Sequence, residues 1–196
     1  MHDEAELRAA LPKIRLATCS ETWTNVSLYK WRKTLLSAAG SAVSDGRYHR
    51  AGKAPALYFA KSPIVALAEV GSLAAVGGKY MMAPRAPQII TCVHVEIPIG
   101  ILDLTDPSNH GALGTSMQEL TGSWLLDVDP PTIRLGQVTY SLGIPAIKFP
   151  SKFGEKDIEP NLVVFIDHLQ EHSGAKLDPH DPESDLPKTV VPLRGP

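Results

Sequence analysis

Three side chains that could together bind a nucleotide lie in one stretch of the sequence. Arg47 lies in a basic loop, Tyr58 in the apolar run that follows, and Glu69 in an otherwise apolar segment beyond it. A guanidinium matches two phosphate oxygens at once, an aromatic ring can stack on a base, and a carboxylate can stabilise a developing positive charge. The combination predicts a pocket for a phosphate-bearing nucleotide.

Local sequence signals predict the elements that hold these side chains. Ala56–Ala60 is predicted to be a buried strand, and Ser62 followed by Pro63 is a typical helix start. Glu69 would lie on this helix, whose buried face is predicted from helical spacing. That face comprises Ala66, Leu67, Val70, Leu73 and Ala74. Each candidate also has a plainer role: Arg47 could pair with Asp45, Tyr58 could fill the core, and Glu69 could be an exposed helix residue.

The rest of the chain alternates short helices and strands, which favours an α+β domain over a doubly wound sheet. A helix capped by Asp3 is predicted over residues 3–11 and another over Thr115–Leu120, while a third is predicted from Pro131 to Gly143. One strand is predicted to begin at Ile14, and another covers Gln88–Ile97 and ends at a turn over Pro98–Gly100. The last two predicted strands are Ala146–Phe149 and Leu162–Ile166. A helical or irregular segment is expected near Val26–Ser37, and a loop is expected at Gly77 and Gly78.

Composition indicates one domain with a sizeable core. The 196 residues are 43% hydrophobic and carry a formal net charge of -2, which does not imply nucleic acid or an anionic membrane as a partner. We expect a single domain over residues 1–172 and a proline-rich acidic tail, extended or disordered, over 173–196. Cys19 and Cys92 are expected to be reduced and buried, and the chain is expected to be cytoplasmic, since it shows no secretory signal and no membrane-spanning run.

The order of several short motifs resembles the RES-domain family. The loop Gly46–Arg50 (GRYHR) is similar to that family's GRW-N/H loop, and Ala56–Ala60 (ALYFA) and Ala66–Glu69 are similar to its LY strand and A-x-x-E helix. The run Thr132–Ser151 is similar to its "LG…G…PS" block, and Asn161–Phe165 (NLVVF) to its closing strand. The matches together span roughly residues 37–169.

The resemblance implies a compact ADP-ribosyltransferase-like fold, with short strands in small sheets flanked by short helices, and a site that consumes NAD+. The sequence shows no Walker or Rossmann glycine pattern, and no second ligand pair accompanies His94 and Glu96, so we expect NAD+ as a substrate, with no cofactor and no metal. It implies catalytic roles for Glu69, Arg47, Tyr58 and Ser151. It implies binding of NAD+ by Arg47, His49, Tyr58, Arg32, Ser151 and Asn161. RES domains usually carry a further arginine about twenty residues before the GRW loop, where this chain has Thr24–Ser27. Arg32, or else Arg15, would have to replace it.

The function implied by the resemblance is that of a toxin in a bacterial toxin–antitoxin pair. Such a toxin would cleave NAD+ at the nicotinamide–ribose bond and transfer ADP-ribose, with a slight preference for a protein acceptor over water or phosphate. A helical antitoxin would cover the site, and nucleic acid would be contacted only through that antitoxin. The alternative of another class is a non-enzymatic module that binds nucleic acid or another anion through the basic segment Lys30–Lys53.

Overall fold

The computed structural model describes residues 1–76, 79–83, 86–125, 127–153, 159–171 and 174–184. The helices are α1 (Glu4–Ala10), α2 (Pro63–Glu69), α3 (Ser108–Ala112), α4 (Met117–Thr121), α5 (Pro131–Ser141) and α6 (Ile166–Glu171). The strands are β1 (Ala17–Leu28), β2 (Ala56–Ala60), β3 (Leu73–Val76), β4 (Lys79–Met82), β5 (Gln88–Asp103), β6 (Ala146–Pro150), β7 (Pro160–Phe165) and β8 (Lys176–Pro179). Short 3₁₀ turns cover Leu11–Lys13, Tyr29–Thr34 and Ala38–Ala42.

The main sheet has six strands in the order β1-β2-β7-β6-β5-β8. Strand β1 also pairs with β5, so the first five strands of that order close into a ring. Among the described strands, the β5–β6 pair is parallel and the other pairs are antiparallel. The predicted α+β class is therefore confirmed, although most strands belong to one large sheet and not to several small ones.

The hydrophobic core lies on both sides of the ring. One cluster takes side chains from all five ring strands, among them Trp23, Phe59, Val95 and Val164, and so fills the inner side. The other cluster packs the opposite face of β2, β6 and β7 against α1 and α5. Alternate residues of β2 and β7 point to opposite clusters, as the two-residue period of a strand requires. Both faces of these strands are thereby buried, which explains their nearly continuous apolar sequences.

Helix starts follow the sequence predictions more closely than helix ends. Asp3 caps α1 in a capping box with Glu6, and the Ser62 hydroxyl caps α2 ahead of Pro63. Helix α2 nevertheless ends at Glu69, whereas the sequence predicted that its buried face continues to Ala74. Gly71 adopts a φ of 70°, the Ser72 N–H donates to the Leu67 carbonyl and the Gly71 N–H to the Ala68 carbonyl, which is a Schellman ending. Leu73 and Ala74 accordingly lie in β3.

Three further predictions are corrected by the structure. Strand β5 does not stop at a turn after Ile97: it continues to Asp103 through a register shift against β1, with Gly100 at a φ of 109°. The cap of α4 is Ser116 and not Thr115, whose hydroxyl donates to the Glu119 side chain instead. Cys92 is exposed, although Cys19 is buried as predicted, and both are free thiols.

The segment after residue 172 contributes a strand to the sheet. Strand β8 pairs with β5 along Val93–Glu96, and Leu177 packs into the inner core cluster. The sequence predicted an extended or disordered tail from residue 173, whereas Lys176–Pro179 forms a strand of the sheet and a turn follows it at residues 182–183. Residues 185–196 and the predicted loop at Gly77 and Gly78 lie outside the described residues. Within the described chain, no helix is both long and apolar enough to cross a membrane.

Candidate active site

Arg47, Tyr58 and Glu69 line one cavity of about 570 Å³. Strand β1 supplies Thr24–Val26 to its wall, and β2 supplies Tyr58–Ala60. Helix α2 and its C-terminal end supply further wall residues, and Asn161 comes from the start of β7. The segment after α4 adds Ser123–Leu125, and the end of β6 and the residues after it add Phe149, Lys152 and Phe153. The three side chains singled out from the sequence therefore share one site, which was the condition for a nucleotide pocket.

The Glu69 carboxylate is held in place by two side chains from distant parts of the chain. The Ser151 hydroxyl donates to Glu69 Oε1 over 2.8 Å, and the Asn161 amide donates to the same oxygen over 2.6 Å. Among the described residues Glu69 Oε2 has no hydrogen-bond partner, and Glu69 is an exposed residue at the cavity. One oxygen of the carboxylate is thus fixed by the protein, and the other is available to a ligand.

Tyr58 lines the cavity, and its hydroxyl is engaged by two groups of the Gly46–Arg50 loop. The Tyr48 N–H donates to Tyr58 Oη over 3.0 Å, and His49 Nδ1 lies 3.0 Å from the same oxygen. His49 Nε2 lies 3.1 Å from the Ser44 carbonyl, which can only accept, so Nε2 carries the proton and Nδ1 accepts from Tyr58. Burial lowers the pKa of His49, which favours this neutral tautomer. Burial also raises the pKa of Tyr58, so its hydroxyl stays protonated.

Arg47 connects the basic loop to the end of α4. Its Nη1 donates to the Leu120 carbonyl over 2.9 Å and its Nη2 to the Gly122 carbonyl over 3.0 Å. The salt bridge considered for Arg47 with Asp45 does not form, because Asp45 pairs with Arg50 at 2.8 Å. These carbonyls use two of the five N–H groups that a guanidinium carries, and they fix the orientation of the side chain.

Gly136 in α5 allows this loop to approach the rest of the domain. A Cβ at position 136 would overlap the carbonyl oxygen of Tyr48, so the loop backbone packs directly on the helix. Tyr48 itself is fully buried and contacts Phe149 with ring centroids 4.6 Å apart. The glycine of the "LG" motif therefore seats the Gly46–Arg50 loop, and with it Arg47.

The other residues implicated by the sequence lie in different places. His49 is buried behind Tyr58, and Ser151 contacts Glu69; neither lines the described cavity. Arg32 is exposed over the Tyr29 ring and Arg15 is exposed, and neither lies at the cavity wall. The structure thus does not bring either arginine to the position expected for the upstream family arginine.

Sequence reasoning missed several residues of the cavity wall. The stretch where the family arginine was sought does reach the cavity, through Asn25, whose amide donates to the Tyr58 carbonyl. Lys152 follows Ser151 directly and, with Arg47, is one of two cationic side chains among the described residues of the wall. Trp124 lies in a segment without helical or strand periodicity, so no pattern indicates its place in the wall. Lys152 could have been found from its position next to Ser151.

The chain matches the RES domain family over residues 22–186. It belongs to that family. The structure is also similar to a chain of the crystal structure of the M. tuberculosis MbcT–MbcA toxin–antitoxin complex, with a TM-score of 0.69 and 21% sequence identity over 90% of each chain. That similarity shows a shared fold. No curated protein matches the chain.

Proposed function

We propose that this RES domain is the toxin of a toxin–antitoxin pair that cleaves NAD+ at the nicotinamide–ribose bond and transfers the ADP-ribose. The observation that carries the proposal is the Glu69 carboxylate, fixed through Oε1 by Ser151 and Asn161 in a cavity that Arg47 and Tyr58 also line. Family membership and the toxin–antitoxin complex in which the similar structure was determined support the same assignment.

The chemistry needs little acid catalysis, because the leaving group already carries a positive charge. The bond between ribose C1′ and the nicotinamide nitrogen breaks, its electron pair leaves with neutral nicotinamide, and C1′ becomes cationic. Glu69 Oε2 would face that cation or a ribose hydroxyl, as a carboxylate does in glycoside hydrolysis. The acceptor then attacks C1′ and loses its proton, which gives ADP-ribosyl acceptor, nicotinamide and H⁺.

The remaining groups would bind and orient the dinucleotide. Arg47 keeps N–H groups that its two carbonyl contacts do not use, and these can bind the pyrophosphate. Lys152 adds a second positive charge at the wall. Because the Tyr58 hydroxyl bonds to Tyr48 and His49, Tyr58 would act through its ring by stacking on nicotinamide, and His49 would hold Tyr58 without touching NAD+.

We propose that the acceptor of ADP-ribose is a protein. The alternative acceptors are water and phosphate, which would make the enzyme an NAD+ glycohydrolase or phosphorylase. Val70 and Leu125 line the cavity and are 40% and 73% exposed, so an apolar surface surrounds part of the opening. An amphipathic helix of a cognate antitoxin would cover such a surface and exclude NAD+.

Release of nicotinamide from NAD+ tests the proposal. Purified protein, free of any antitoxin, should release nicotinamide, and Glu69→Gln should abolish release while the thermal unfolding curve is retained. Glu96→Gln is a matched control, because Glu96 also accepts a serine hydroxyl but lies outside the described cavity wall. Wild-type protein that releases no nicotinamide, with or without cell extract as a source of acceptors, would refute the enzyme assignment.

A non-enzymatic anion-binding function has one observation in its favour. The 3₁₀ turn Tyr29–Thr34 exposes Tyr29 and Trp31 beside Lys30 and Arg32, a pairing of rings and cations that suits single-stranded nucleic acid. The predicted basic segment is otherwise divided, since Arg47 points to the cavity and Arg50 pairs with Asp45. Binding through this turn should weaken steeply with salt and survive Glu69→Gln.

A further inference from the structure

A second cavity lies beside the candidate active site. Its volume is about 380 Å³, within the range of small-ligand sites. Ser123 and Trp124 line both this cavity and the one that contains Glu69. The short segment after α4 therefore forms a wall common to the two cavities.

Arg47 is attached to the segment that separates the cavities. Its two donors bind the carbonyls of Leu120 and Gly122, immediately before Ser123, while its side chain lines the larger cavity. A diphosphate bound at Arg47 would therefore sit where the cavities adjoin. One nucleoside of a dinucleotide could then extend toward Glu69 and the other past Trp124 into the second cavity.

The lining of the second cavity suits a nucleoside. Trp124 offers an aromatic surface for a base, and stacking on aromatic side chains is a common way in which proteins bind bases. Thr132 also lines this cavity, is only 2% exposed, and has a buried hydroxyl with no hydrogen-bond partner within the described chain. None of the described lining residues is Lys or Arg, which argues against phosphate in this cavity.

The two carboxylates of the lining differ in their availability. Glu119 accepts from the Thr115 hydroxyl and from the amino group of Met1, so its oxygens are already engaged. Asp127 is exposed and its side chain makes no ion pair or hydrogen bond with the described residues. A free carboxylate is the usual partner of a ribose hydroxyl pair, so Asp127 is the group that could bind one.

We propose that this second cavity binds the adenosine half of NAD+, with the base on Trp124 and the ribose hydroxyls on Asp127. The proposal rests on the proposed function, because it assigns the part of NAD+ that does not react. It predicts that the protein distinguishes NAD+ from nicotinamide mononucleotide, which has the same scissile bond but lacks adenosine.

The test compares these two substrates in Asp127→Asn, Trp124→Phe and the wild type. Nicotinamide release gives KM for each. Asp127→Asn should raise KM for NAD+ about tenfold, the effect of losing roughly one charge-assisted hydrogen bond, and leave KM for nicotinamide mononucleotide unchanged. Trp124→Phe should raise KM for NAD+ by a smaller factor. Glu183→Gln is the control, because it removes an exposed carboxylate away from both cavities.

A binding measurement separates this proposal from the enzymatic one. Calorimetric titration of AMP into Glu69→Gln protein should show binding, and adding Asp127→Asn should weaken it by a similar factor. If wild-type protein releases nicotinamide from neither substrate, the enzymatic proposal fails and the AMP titration alone decides the cavity's role. Equal increases in KM for both substrates, or no binding of AMP, would overturn the adenosine assignment.

Discussion

Removing either of the two hydrogen bonds that fix Glu69 should lower turnover without weakening the binding of NAD+. Ser151→Ala removes the 2.8 Å bond to Oε1, and Asn161→Ala removes the 2.6 Å bond. Each variant leaves the carboxylate in place but held by one hydrogen bond in place of two. Under the proposed function the position of this carboxylate matters in the transition state, so the loss should appear in kcat and not in KM.

The size of the effect follows from the bonds themselves. A hydrogen bond to a charged group contributes about 1.5–3 kcal/mol, and the lower limit applies at Ser151 because Glu69 is exposed. Ser151→Ala should therefore lower kcat about tenfold. Asn161 is 4% exposed and its loss also leaves a small cavity, so Asn161→Ala should lower kcat by roughly ten- to a hundredfold and reduce stability.

Initial rates of nicotinamide release over a range of NAD+ concentrations separate kcat from KM. Ser20→Ala is the matched control, because Ser20 donates a 2.6 Å bond to Glu96 outside the described cavity wall. It should change neither parameter. The reasoning fails if Ser151→Ala and Asn161→Ala both keep kcat within about twofold of the wild type, or if they raise KM alone, which would indicate direct contact with NAD+.

Three further substitutions test how the cavity wall is supported. Tyr58→Phe should lower the free energy of unfolding in urea by about 1–3 kcal/mol, because the Tyr48 N–H and His49 Nδ1 lose their hydrogen-bond partner. The variant should keep most of the turnover. Complete loss of turnover would show that the hydroxyl takes part in the reaction. Because burial lowers the pKa of His49, the unfolded chain binds its proton first, so stability should fall as pH drops below about 6.5. His49→Gln should show a smaller fall between neutral and mildly acid pH, and an equal fall would contradict this. Gly136→Ala should cost about 1–3 kcal/mol in the same unfolding assay by forcing a methyl group against Tyr48, whereas Gly111→Ala, with open space around it, should be neutral or stabilising.

The sequence predicted local structure where local chemistry decides it. Asp3, Ser62 and Pro131 begin helices as expected, because caps and an N-terminal proline act within one turn. The predicted end of α2 was wrong. Apolar residues continue at helical spacing past Gly71, but the positive φ of that glycine ends the helix. The continuation of β5 through Gly100 depends on its pairing with β1, which local sequence does not encode.

The contacts that build the site connect residues far apart in sequence. Glu69 meets Ser151 and Asn161 across separations of 82 and 92 residues, which no local pattern could reveal. The family resemblance nominated all three, but it gave Ser151 and Asn161 contacts with NAD+ and did not suggest that both hold the carboxylate. Arg32 was nominated by charge and proximity in sequence alone, and the fold leaves it exposed.

This chain lacks the family's upstream arginine, and the fold accounts for part of that difference. The segment where that residue was sought lines the cavity through Asn25, which braces the backbone of Tyr58 and carries no charge. Two N–H groups of Arg47 already donate to the carbonyls of Leu120 and Gly122, so fewer N–H groups remain for phosphate. Lys152 is the other cation of the described wall, so binding of the pyrophosphate would depend on it more than the family pattern suggests. A single flexible ammonium matches phosphate less specifically than a guanidinium, so the adenosine half would contribute a larger share of the affinity for NAD+.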